Sequence, residues 1–508
     1  MSALASKSDT PLTFRHVPTL VVLCACCVLA SVAYIINPVW LAMAVALALL
    51  AAVFFAGYEF GLLLTVFTFY IEFTCIEYFV AETGDAAIFP ICILFMVITF
   101  GAWLYKKAID KGLKRQPTPV DIVVLAILAY NGISLLWTPS LEEGSLFYLQ
   151  MLFGALIYYL VTGIVTSREM LHKFIVTLLV SGVICSLAVF VSKWYMSFYD
   201  FLIAPHTMLS VYGLRQIMNR PTGLTIGAPS TPLEMEMIII SLTLLLLTKD
   251  RRLKTLYGLV AAVGSLAIVM MAVRGAFVAL GAAIVMFFKF HPIYKERFVK
   301  YTAITLLVYL VIIVTATPGF IDRLIIGFGY KGHTMFTTST TLKSNTEELS
   351  SKNEGVTGIG SRMTMWKTGL RYMVQNPYTF ITGIGVGGFV YVVPETISEV
   401  HSLIFSFFFE MGVFGILALA FFINFFARTF HQTWKEFDSS YMANLMFALN
   451  VIVVAVFAVN GLIQFDLTSH TARFVWFLLG FYLVVLRIYK QQRRAGVNGL
   501  MRDVDGQS

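Results

Sequence analysis

The chain has 508 residues, 58% of them hydrophobic and only 13% charged, with a mean hydropathy of +0.82. A soluble protein carries about a quarter charged residues, so this composition excludes a soluble globular enzyme. It fits instead a helical membrane protein assembled from runs of about 20 apolar residues. The net charge of +8 carries no nucleic-acid message by itself, because Lys and Arg gather in the cytoplasmic loops of membrane proteins.

In chain order, apolar runs predict membrane spans at 17–36, 39–57, 61–80, 86–105, 120–137, 146–165, 174–192, 231–248, 255–272, 276–289, 301–317, 402–427, 441–460 and 473–488. The expected fold class is therefore an all-α polytopic membrane protein of about 14 transmembrane helices with both termini cytoplasmic. We expect one integral membrane domain over 1–508, and the first run is read as a retained helix because no small-residue cleavage site follows it. The second and third spans part near Gly57, and the stretch 255–288 parts at Arg274-Gly275. Of the 36 basic residues, 24 fall in the predicted inner segments. Seven of the other twelve lie in the long loop 318–400, whose length exempts it from the charge rule. All six cysteines (Cys24, Cys26, Cys27, Cys75, Cys92, Cys185) sit within spans and read as small apolar residues.

Two outer loops stand apart by size, 193–230 and 318–400. In the second, 331–360 is rich in Ser, Thr, Asn, Lys and Glu and is expected to be mobile, since it lacks the apolar residues of a core. Residues 361–377 change character. Ser361 reads as an N-cap, and Met363, Trp366, Leu370 and Met373 recur at helical spacing before Pro377 closes the run. This predicts an amphipathic helix on the outer membrane face that offers Arg362, Lys367 and Arg371 to anions.

Four residues stand out as chemistry candidates. Arg274 interrupts an apolar hairpin, where an ionisable residue is functional by default, the structural alternative being an arginine that snorkels from a tight turn. Arg220 precedes the turn-forming run Thr222–Pro232. His401 opens an apolar helix after a glycine-rich turn, where a neutral imidazole can accept a proton; a cap or headgroup contact is its structural alternative. Arg362 is the fourth. Glu410, nine residues after His401, points away from it by helical geometry and reads as structural. Gly383–Gly388, GIGVGG, follows no strand of a βαβ unit, so nucleotide binding is rejected. No zinc, Walker A or G-x-S-x-G pattern appears.

Four fragments taken in order, NRPTGLTIGAPSTPLEM, VRGAFVALG, SRMTMWKTGL…TGIGVGG and HSLIFSFFFEMGVFG, resemble the O-antigen ligase and polysaccharide polymerase superfamily of bacterial membrane glycosyltransferases. The likeness spans 220–415. One departure is Ser402, where the family often has Asn. The resemblance implies a multi-pass protein of the bacterial inner membrane that takes a glycan from a polyprenyl diphosphate carrier without metal or cofactor. The acceptor would be a glycan or lipid A core hydroxyl. His401 would act as general base, and Arg220, Arg274 and Arg362 would bind the diphosphate. Partners would be the lipid-linked donor, the acceptor, membrane lipid and other envelope assembly proteins. Span number and the enlarged outer loops favour polymerase over ligase. The competing reading is an ion-coupled secondary transporter using carboxylates such as Glu72, Glu77, Glu234, Glu236 or Asp466.

Overall fold

The computed structural model describes residues 57–70, 91–109, 117–194, 231–271, 274–293, 295–297, 299–300, 303–304, 307, 311, 359–393, 402–460 and 472–505. The predicted span 17–36, the span 39–57 up to residue 56, most of 301–317, the loop 193–230 from residue 195 and the stretch 331–358 lie outside these residues, as do Arg220 and His401. Within them the structure is helical, without a strand. The helices are α1 (Tyr58–Tyr70), α2 (Ile91–Ile109), α3 (Pro119–Ser134), α4 (Leu141–Ile164), α5 (Arg168–Trp194), α6 (Thr231–Leu247), α7 (Arg251–Met271), α8 (Arg274–Phe290), α9 (Ile359–Gln375), α10 (Thr379–Thr382), α11 (Gly388–Val392), α12 (Leu403–Lys435), α13 (Tyr441–Val454, ending in a π-helical turn Ala455–Asn460) and α14 (Ala472–Asp505). Among the described residues, five of these, α4, α5, α7, α12 and α14, are long and apolar enough to cross a bilayer. The protein is thus a multi-pass helical membrane protein.

Local signals explain several helix starts. Thr118 accepts from the Asp121 amide, Asp121 reaches back to the Thr118 amide at 2.6 Å, and Pro119 occupies the first turn of α3, a reciprocal cap. The Ser140 and Ser440 hydroxyls cap α4 and α13 in one direction only, accepting from the Glu143 and Ala443 amides. Where no water competes, backbone groups must be satisfied within each helix, and small residues let neighbours close in. A Cβ on Gly154 of α4 would lie 2.2 Å from Trp476 of α14, so these two helices touch nearly backbone to ring. They run parallel: Gly154 meets Trp476, Gly480 meets Tyr158, and Arg487 donates to the Thr162 and Val165 carbonyls.

One end of the bundle is basic and tied by side chains. Lys106 and Lys107 end α2, Lys249, Arg251, Arg252 and Lys254 join α6 to α7, and Lys435, Lys490, Arg493 and Arg494 close α12 and α14. Here His291 bonds Asn444 at 2.9 Å, Tyr158 donates to Asp121 at 2.7 Å, and Arg168 lies over the Tyr441 ring. Deeper in the bundle, Tyr482 donates to Asn450 (2.7 Å), which donates to Thr433 (3.0 Å), joining α14, α13 and α12. Because α8 runs from Arg274 to the His291 end, Arg274 belongs to the opposite end. The starts of α6 and α12 lie there too.

Three details differ from the sequence reading. The expected helix 402–427 is two segments broken at Gly412. Arg274 opens α8 itself and does not sit in the turn before it. The expected span 473–488 continues as helix to Asp505.

Candidate functional site

At the end opposite the basic one, α9, α10, α11 and the first segment of α12 form a cap with its own small core. Met365, Met373, Ile384, Phe389, Val393 and Phe409 are buried together, with Trp366, Phe405 and Phe408 packed against them. The rings are ordered: Trp366 lies 4.5 Å from Phe405, Phe389 stacks on Phe409 at 4.9 Å, and Phe405 stacks on Phe409 at 5.4 Å. This corrects the face expected for α9. Met365, Gly369 and Met373, one turn apart, face the cap core, whereas Met363 and Leu370 are exposed. The physical reason is that a helix of 3.6 residues per turn carrying apolar groups on adjoining faces can bury either one, and the aromatic first segment of α12 offers the better partner.

The glycine cluster holds this cap on the bundle. Gly383, Gly385 and Gly387 all have positive φ (70°, 97° and 69°), which side-chain-bearing residues rarely adopt. The loop they form runs against the break in α12, where Gly412 has φ 58° and ψ −138°. Such a break frees carbonyls from the i→i+4 ladder, and the loop satisfies them: the Ile384 amide bonds Phe409 O at 2.7 Å, and the Gly385 amide bonds Glu410 O at 3.2 Å. A Cβ at Gly383 would sit 2.2 Å from Glu410 O, and one at Gly412 2.5 Å from Ile381 O. On its other side the loop is bonded to the tip of α3. Tyr130 donates to Thr382 O (2.8 Å), Thr138 donates to Val386 O (2.9 Å), and the Val386 amide donates to the Ser134 hydroxyl (3.0 Å).

This arrangement fixes the start of α12. Ser402, fully buried, is its N-cap and accepts from the Phe405 amide. Its hydroxyl is the kind of acceptor that favours serine at an N-cap. Ser402, Ser406 and Glu410 recur every fourth residue and are all buried, giving the first segment of α12 one polar face. Glu410 thus belongs to the packing of the cap. Burial, aided by Tyr378, raises the Tyr372 phenol above its ordinary range, so this ring stays protonated beside the loop.

The predicted site residues fall unevenly on this frame. Arg362 lies in α9, one turn before Trp366, whose ring touches Phe405 in the first turn of α12. Arg362 and the head of α12, which follows His401 directly in sequence, therefore share the cap. Arg274 opens α8 at the same end of the bundle. Arg220 and His401 themselves lie outside the described residues. Arg473, buried at the head of α14, received no role from sequence, and Glu234 and Glu236, buried in the first turns of α6, figured there only as ion-pathway carboxylates of the transporter reading. The signal for Arg473 was present, since like Arg274 it is an arginine at the head of an apolar run. Among the described residues no three His, Cys, Asp or Glu side chains gather as a metal-binding group.

Comparison with known proteins matches residues 259–420 to the family described as O-antigen ligase. The match begins in α7, includes Arg274, Arg362 and His401, and ends in α12 beyond the break. A search of curated proteins found no match.

Proposed function

We propose, on the match of residues 259–420 to the O-antigen ligase family, that the chain belongs to the O-antigen ligase and polysaccharide polymerase superfamily and is a cell-envelope glycosyltransferase. It transfers a glycan from a polyprenyl diphosphate carrier to an acceptor hydroxyl on the outer face of the inner membrane. The cap end is then periplasmic and the basic end cytoplasmic, in keeping with the positive-inside rule. The observation that carries the reading is that the matched region gathers the α9 helix of Arg362, the head of α12 and the head of α8 at one end of the bundle.

In the reaction the acceptor oxygen attacks the anomeric carbon, the bond from that carbon to the diphosphate oxygen breaks, and the diphosphate departs with the bonding pair. His401, directly before the α12 N-cap, takes the acceptor proton as the new bond forms. Arg220, Arg274 and Arg362 meet the charge that develops on the diphosphate, since guanidinium groups donate paired bonds to phosphate oxygens and keep their proton. A site at a helix-bundle end next to the bilayer also leaves the isoprenoid tail in lipid while the diphosphate meets the arginines.

Polymerase is favoured over ligase on the enlarged outer loops. The test is a gene deletion followed by electrophoresis of the surface glycan. A single repeat unit on its anchor identifies a lost polymerase, and full-length chains stranded on the carrier identify a lost ligase. Unchanged surface glycan would overturn the proposal.

A further inference from the structure

The chemistry above leaves the first turns of α6 unused. Glu234 and Glu236 stand there 0% and 1% exposed. Among the described residues, neither oxygen of Glu234 nor Oε2 of Glu236 has a hydrogen-bond partner. A buried carboxylate with neither donors nor a cation is strongly disfavoured. An arginine that opens an apolar helix, as Arg274 opens α8, has the mirrored problem.

The packing of α6 against α7 says which acid can meet which cation. Leu245 lies against Gly258, and Met237 and Ile238 lie against Gly264, so the helices are antiparallel. Glu234 is three and four residues before Met237 and Ile238, and its azimuth falls between theirs. It is therefore on the α6 face turned to α7. Glu236, about 200° round from Glu234, is on another face. Carried outward, the register puts Glu234 level with Ile268, one turn short of the end of α7. Arg274 opens α8 three residues past that end, and α8 packs against α6 as well as against α7, so the head of α8 lies at the same end of α6 as Glu234.

We propose that Glu234 is the counter-charge of Arg274. It holds the guanidinium at the head of α8 while the site is empty and yields it to the diphosphate when donor enters. Glu234 is on this account a positioning residue. The exchange with diphosphate rests on the proposed function; the pairing itself does not.

The test compares thermal unfolding of purified full-length protein in detergent for the wild type, R274Q, E234Q, E234Q/R274Q and E236Q/R274Q. Removing the arginine alone leaves a buried carboxylate without its cation, so R274Q lowers the Tm. Neutralising Glu234 in the same protein recovers at least half of that loss, and neutralising Glu236 does not. If R274Q yields no folded protein, recovery of folded yield in E234Q/R274Q, and not in E236Q/R274Q, is the supporting result. Additive effects, or equal rescue by E236Q, overturn the pairing. In a transfer assay with lipid-linked donor, E234Q lowers kcat by about 10- to 100-fold, the cost of a misplaced catalytic contact, and E234D recovers part of it. Wild-type transfer by E234Q overturns the positioning role. Coupled melting with undiminished transfer by R274Q keeps the pairing and refutes the diphosphate role of Arg274.

Discussion

The two ends of the bundle are held by different means. At the basic end, side chains far apart in sequence join whole helices: His291 to Asn444, Tyr158 to Asp121, and Arg493 to Glu436. At the cap end the joints are largely backbone, with loop amides on the carbonyls released by the break in α12. Side-chain joints are separable, so loss of one loosens one pair of helices. A backbone joint has no spare part, because its geometry depends on the absence of a Cβ at Gly383 and Gly412. The end proposed for chemistry is the one built without that redundancy.

The largest effect should follow from Gly412→Ala. The residue has positive φ, and its Cβ would lie 2.5 Å from a backbone oxygen, so the strain of about 1–3 kcal/mol for an unsuited backbone region is joined by a collision that only movement of the loop relieves. Glycan transfer should be lost and limited proteolysis should cut the cap, while the bundle still melts cooperatively. Normal transfer by this variant would show that the cap is not keyed by its backbone. Asn450→Ala should be smaller and of the opposite kind. It strips Tyr482 and Thr433 of a shared partner at a cost of about 1–3 kcal/mol for buried groups left unpaired. It should lower the Tm yet leave transfer per folded molecule within about twofold, since the residue lies outside the cap.

His291 makes the basic end sensitive to pH. Burial lowers its pKa to about 4, against the pull of its bond to Asn444, whereas the unfolded side chain titrates near 6.5. The folded state therefore prefers the neutral ring. The stability tied to this preference is complete above about pH 6.5 and is lost as pH falls from there toward 4. Melting of His291→Gln should lack that part of the acid-side decline; an unchanged pH profile would contradict the assignment. The smallest effect belongs to Glu169→Gln, which breaks an exposed pair with Lys173 and should move stability by less than about 0.5 kcal/mol.

Much of this contrast was legible in the sequence, but not evenly. The apolar run 120–137 announces α3, though its cap of Thr118, Pro119 and Asp121 was seen only in the structure, and Arg274-Gly275 announces the break between α7 and α8, because apolar runs and charges act locally. The apolar run after Ser402 announces α12 for the same reason. The break at Gly412 was hidden: a glycine inside an apolar helix is common, and what makes this one a break is the loop 383–387 arriving from elsewhere in the chain. The buried face of α9 was hidden likewise, since Met363 and Leu370 suit a lipid surface as well as Met365 and Met373 suit a protein core. Glu234 was visible only as an acid in an apolar run; its face became readable once Gly264 was seen against Met237 and Ile238. For the site, the sequence supplied the residue types and their order, and the structure supplied the shared end of α8, α9 and α12.

The central claim is that chemistry belongs to the cap end alone, and the two histidines test it side by side. Purified H401A and H291Q would be reconstituted in liposomes with a lipid-linked oligosaccharide and its acceptor, and transfer measured per folded molecule. The account predicts that H401A falls by about 10²- to 10⁴-fold, the usual contribution of a general base, while H291Q stays close to wild type. Undiminished transfer by H401A, or a loss in H291Q as deep as that in H401A, would contradict it.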